Sequence, residues 1–230
     1  MKCWICGSTK ISGEHIPKAT SLKSIFGKVT SKSPLFLNNE SSRNKHIQSI
    51  DSKYLKHRQI CTNCNNSVTQ KHDEMWDIFF NYLQENKQKL VVGSKIKKAR
   101  LFQFGAQKKE VYLQLYFLKI FGTLCAEHNV DIDLTGFARS ILSEVAYASF
   151  FVGISKRTWL TGLKAVMGSP MQIERNIQDG GIETAIQIMT IDEWNFELIY
   201  INPNYSIKYF PKCWNPMISK EFTIRSPAKN

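Results

Sequence analysis

The chain has 230 residues, 43% of them hydrophobic, which is enough for one large domain or two small ones with a proper core. Lysine and arginine outnumber aspartate and glutamate by 31 to 19, and the resulting charge of +12 points to a polyanionic partner such as nucleic acid. No apolar leader follows the start, and the most apolar stretch, residues 111–126, is broken by Gln114 and Lys119; these features argue against secretion or a membrane span and for a cytoplasmic protein.

In chain order, the first feature is a Cys3-x-x-Cys6 knuckle, with Gly7 where a left-handed residue lets it turn. "SGEHIPKA" follows and sets Glu14 beside His15. On an extended segment these two side chains point to opposite faces, and a bend at Pro17 is needed for both to reach one phosphate. Residues 20–58 are weakly patterned and turn-rich, with short strands expected over 45–50 and 54–60. Cys61-x-x-Cys64 is the second knuckle, and Asn65, Asn66 and Ser67 after it are good N-caps. Met75, Trp76, Phe79, Phe80 and Leu83 then give the apolar stripe of a helix.

Residues 87–109 are basic, either a solvated linker or strand pair, or a phosphate-contacting track built on Lys95, Lys97, Lys98 and Arg100. Residues 111–128 are apolar on nearly every side and predict a central helix. Leu134, Ala138, Ile141, Leu142, Val145 and Ala146 mark a second, amphipathic one. "TAIQIMTIDEWNFELIYINPNYSIKYF" predicts three strands, with turns at 190–193 and 202–204. The expected fold is α+β: an N-terminal module over residues 1–90, and over 91–230 a helical region with a small antiparallel meander.

The paired cysteines carry the clearest chemistry. Two thiolates at i, i+3 bind one metal from a single tight turn, and two such knuckles complete a tetrahedral site for which Zn²⁺ is the usual ion. Such a site is closed, so any catalysis belongs to residues beside it. Cys125 and Cys213, within apolar segments, read as buried inert thiols.

The order C-x2-C, E-H-I-P, C-x2-C-N-N, then a helix, resembles the HNH or ββα-metal endonucleases, in their zinc-stapled branch. The resemblance covers residues 1 to 80 and does not reach beyond 90. It implies that Cys3, Cys6, Cys61 and Cys64 hold structural zinc. It also implies that His15 is the general base activating water, and that Glu14 and Asn65 hold a catalytic Mg²⁺ or Mn²⁺. Asp73, eight residues after Asn65 and on the same helix face, is a candidate third ligand or holder, with His72 as the neighbouring alternative. Lys71 is either a phosphate contact or a solvated helix lysine. The chain departs from the family pattern where a middle Asn is usual, offering His57 or Gln59, and its stretch between Pro17 and Cys61 is long.

The function implied is divalent-metal-dependent cleavage of DNA, as in a restriction or anti-phage effector, with RNA in place of DNA as a further possibility. The second half would then select a target, a partner protein or a second copy of the chain. The alternative is a zinc-stabilised protein that binds nucleic acid or assembles complexes without chemistry.

Overall fold

The first knuckle closes on itself: the Gly7 amide donates to the Cys3 carbonyl (2.8 Å), and Gly7 takes a φ of 75° that a side chain would strain. In the computed structural model, which describes residues 1–39, 42–157, 164–205 and 212–227, this knuckle leads into β1 (Ile11–His15). After a bend at Ile16–Pro17 comes α1 (Ala19–Phe26), then a two-stranded sheet of its own, β2 (Leu35–Asn39) with β3 (Ser42–Ile47). β4 (Lys56–Cys61) returns antiparallel to β1, pairing Ile11 with Cys61 and His15 with Lys56, and the register slips between Ser12 and Glu14. The second knuckle continues as a π-helical turn, Cys64–Val68, and then as α2 (Gln70–Glu85). The helix therefore begins later than the Asn65–Ser67 caps suggest. Its apolar stripe is buried as the sequence spacing requires, with Trp76, Phe79 and Leu83 fully enclosed.

Residues 87–109 resolve into β5 (Lys95–Lys97) and the single turn α3 (Lys98–Leu101). The central helix is α4 (Ala106–Glu127), and α5 (Thr135–Ser143) follows it. Beyond them the expectation of a mainly helical region fails. β6 (Phe150–Lys156), β7 (Val166–Gly168), β8 (Gln172–Arg175), β9 (Ile182–Ile191), β10 (Trp194–Ile201) and β11 (Glu221–Arg225) join β5 in a seven-stranded mixed sheet. Its order is β5-β11-β6-β10-β9-β7, with β8 also on β9, and only β11–β6 is parallel among these pairs. The reason for the miss is visible in β6, buried at its first six positions, so that both faces are covered. A short strand buried on both faces carries only a weak period to separate it from a helix. β9, β10 and the turn between them fall where the sequence placed them; the third expected strand, "SIKYF", lies outside the described residues.

One apolar cluster joins both halves. Trp76 stacks on Tyr116 of α4 (centroids 4.8 Å) and meets Phe196 of β10 edge-on (5.2 Å), while Phe79 reaches Phe222 of β11 (5.1 Å). On the far side of the sheet Phe151, Ile199, Ile201 and Cys213 form a second, smaller cluster. The N-terminal module docks on α4 through Trp4. Its indole lies so close to Gly122 that a Cβ there would come within 2.6 Å of the ring, and its Nε1–H donates to Thr123 Oγ1 (3.1 Å). Among the described residues no helix is long and apolar enough to cross a membrane.

Candidate functional site

The two knuckles meet at the end of the β1–β4 pair, because Ile11 and Cys61 are register partners and Trp4 donates its amide to the Gln59 carbonyl (3.1 Å). The Sγ atoms of Cys3, Cys6, Cys61 and Cys64 all lie within 4.8 Å of one another, and the Cys6–Cys61 pair is at 3.5 Å. A tetrahedral site with Zn–S bonds of about 2.3 Å needs sulfurs roughly 3.8 Å apart, so the thiol spacing fits. All six cysteines are free thiols, and three of the four in the cluster are buried. The Cys64 amide also points at Cys61 Sγ (3.4 Å), a donor that stabilises a thiolate. The cluster is consistent with a structural Zn²⁺ site.

Glu14 and His15 leave β1 on opposite sides, as alternation requires. His15 is half-buried, and its Nε2 lies 2.9 Å from the carbonyl oxygen of Ile50. A carbonyl only accepts, so Nε2 carries the hydrogen and Nδ1 keeps its lone pair. Burial holds the His15 pKa below the ordinary imidazole value, with Lys56 and Lys23 adding to the effect against the Ile50 bond and Asp51.

Glu14 turns inward, 5% exposed, to a group of residues from two other segments, the start of α2 and the middle of α4. Its Oε1 accepts from Lys119 Nζ at 3.2 Å, and the same ammonium donates to Asp73 Oδ1 at 2.5 Å and Thr69 Oγ1 at 3.4 Å. Asp73 thus stands near Glu14, with a lysine of α4 between them. Burial pushes both carboxyls up, and Lys119 opposes it. Burial alone would lower Lys119; Asp73 and Glu14 outweigh it and raise the amine above its ordinary value. The trio is therefore an ion cluster with its cation at the centre. Among the described residues the second oxygen of each carboxylate takes no hydrogen bond.

Asn65 sits in the π-helical turn and caps no helix; its Nδ2 reaches the carbonyl of Gly13 (3.5 Å), the residue before Glu14. His72, the alternative to Asp73, turns away toward Tyr112 (centroids 5.6 Å) and lies fully buried with neither ring nitrogen bonded. Burial, with Lys119 second, pushes its pKa down to about 3, so it is neutral. Lys18, from "EHIPK", bridges to α2 through the Asp73 carbonyl (3.1 Å) and Asp77 Oδ2 (2.5 Å).

The candidate phosphate contacts divide. Lys71 pairs with Glu144 (2.9 Å), and Lys108 and Tyr112 join it there. Lys95 pairs with Glu221 (2.6 Å) and Lys98 with the buried Glu110 (2.7 Å). Lys97 and Arg100 are exposed and have no ion pair among the described residues. All four of the 95–100 group lie on β5 and α3, in the large-sheet half and not on the β1–β4 pair.

Sequence reasoning missed the contribution of α4. Lys119, Thr123 and Glu127 recur at i+4 and share one face. They hold Glu14 and Asp73, then Trp4, then His57, whose Nδ1 hydrogen-bonds Glu127 Oε2. The departure from the family pattern at His57 is thus a residue with a structural partner. No protein-family model, curated protein or solved structure matches this chain.

Proposed function

We propose that the chain is an HNH-type endonuclease that hydrolyses DNA phosphodiester bonds with a divalent ion, its N-terminal module held by structural zinc. The observation that carries this reading is the His15–Ile50 hydrogen bond, which leaves Nδ1 as a free base on a residue adjoining a buried carboxylate. His15 Nδ1 takes the proton from the attacking water, and a depressed pKa keeps that imidazole neutral at physiological pH. Glu14 and Asn65, with Asp73, are the residues that would hold Mg²⁺ or Mn²⁺. When bound, the ion supplies charge neutralisation at the phosphoryl oxygens and leaving group. Lys97 and Arg100 are the candidates for contacts to flanking phosphates. The 91–230 half serves target, partner or self-recognition in a restriction or anti-phage role.

The second reading is a zinc-stabilised protein that binds nucleic acid, RNA included, or assembles complexes without cleaving. One observation favours it: Lys119 already neutralises part of the charge that a divalent ion would meet at Glu14 and Asp73.

Plasmid cleavage by wild type and His15→Ala, with Mg²⁺, Mn²⁺ or EDTA, separates the two. The expected result is ion-dependent cleavage lost by at least about 100-fold in His15→Ala. Its acid limb should fall below pH ~6.5, because the base is deprotonated down to its lowered pKa. Intact plasmid under every ion favours the binding protein, and unchanged cleavage by His15→Ala sinks the mechanism.

A further inference from the structure

Lys119 is buried completely, and its ammonium is fixed by Asp73, Glu14 and Thr69. An ammonium so enclosed has no hydrated position to retreat to, and removing its partners would leave an uncompensated buried charge. It is also the cation nearest to any ion that the free oxygens of Glu14 and Asp73 would bind. Lys18, just before α1, brings a second positive charge to α2, bonded to the Asp73 carbonyl and paired with Asp77.

We propose that Lys119 is a resident counter-cation of the Glu14–Asp73 pair, which keeps the free protein's affinity for a divalent ion low and makes ion binding depend on a phosphodiester of the substrate. The inference rests on the nuclease reading for its purpose, though not for its electrostatics. Two carboxylates and one ammonium sum to a single negative charge, one short of what a divalent ion needs. A phosphodiester brings the missing charge. Ion and substrate then load together, and the protein without nucleic acid holds neither.

Repulsion between a +1 and a +2 charge about 5 Å apart exceeds a tenfold change in binding even at an effective dielectric of about 20. Lys119→Met, of similar length and no charge, should therefore bind Mn²⁺ at least about tenfold tighter than wild type in the absence of DNA. The measurement is an electron-paramagnetic-resonance titration of free Mn²⁺ on the zinc-loaded protein, whose thiolate site favours zinc over Mn²⁺. Lys119→Gln, which keeps a donor toward the carboxylates, serves where far-ultraviolet circular dichroism shows the methionine variant unfolded. Adding Glu14→Gln to either variant should abolish the gain. Equal Mn²⁺ affinity in a folded Lys119 variant overturns the proposal, and so does a gain that survives Glu14→Gln. No DNA enters the titration, so a Mn²⁺ gain in a protein that fails to cleave plasmid would count against the nuclease and leave the counter-cation standing.

Discussion

The two halves of the molecule hold their shape by different means. In the C-terminal half, β6 and β10 are buried at nearly every position, and apolar contacts cover the sheet on both faces. In the N-terminal half, β1 buries only Glu14 among its five residues, and among the described residues β2–β3 pair with no other strand. A two-stranded unit of that kind is marginal alone. α2 shares the apolar core, but the β1–β4 pair is held in addition by polar and thiol contacts: the four-cysteine cluster at one end, and the polar face of α4 along its side. A site built this way has positions set by ions and hydrogen bonds, and its weak points are few and nameable.

The largest test of that contrast is Cys61→Ser. Zinc bound to comparable knuckles contributes on the order of 10 kcal/mol to folding, more than the stability of many whole domains. The variant should lose stoichiometric zinc by metal analysis, and amide exchange should become fast over β1 and β4 while β9 and β10 stay protected. A variant that keeps its zinc and its β1–β4 protection would remove the staple from the argument.

Gly122→Ala is expected to cost about 1–3 kcal/mol in chemical denaturation, the usual penalty for forcing a methyl into a packed contact. The added Cβ would stand 2.6 Å from the Trp4 ring, whose rigid indole cannot yield as a flexible chain would. Unchanged stability would mean that Trp4 does not anchor the module to α4.

Glu127→Gln is the smallest and probes pH. The hydrogen bond from His57 holds Glu127 below the ordinary carboxylate range, against the opposing effect of burial. A depressed carboxylate stabilises above its unfolded pKa of about 4.3, and the stabilisation disappears as pH falls through the lower, folded value. Wild type should therefore lose melting temperature more steeply than Glu127→Gln on acidification below about pH 4.3. Parallel profiles would show the His57–Glu127 pair to be irrelevant to stability.

What the sequence disclosed follows from the range of each interaction. Cysteine spacing is local and chemically specific, so both knuckles are legible in the sequence, whereas a helix after Cys64 relates Asp73 only to Asn65 and leaves its closeness to Glu14 to the fold. Lys119 was read only as an interruption in an apolar helix. Its meaning depends on two carboxylates far away in the chain, and only the i+4 recurrence with Thr123 and Glu127 hinted at a polar face. β6 hid in seven residues buried on both faces, and β11 in five residues whose partners, β5 and β6, are remote. The helix pair and the β9–β10 hairpin are legible and the rest of the sheet is not, because helices and hairpins declare themselves locally and remote strands only through pairing.

Lys119 follows Glu14 by 105 residues. As the chain is translated, residues 1–90 emerge first, with both carboxylates and all four thiols but without the amine that joins Glu14 to Asp73. Until α4 has been translated those acids lack the ammonium that bonds them both. The segment that looks self-sufficient on paper is finished by a helix made later, and the nascent chain carries its ion cluster only in pieces.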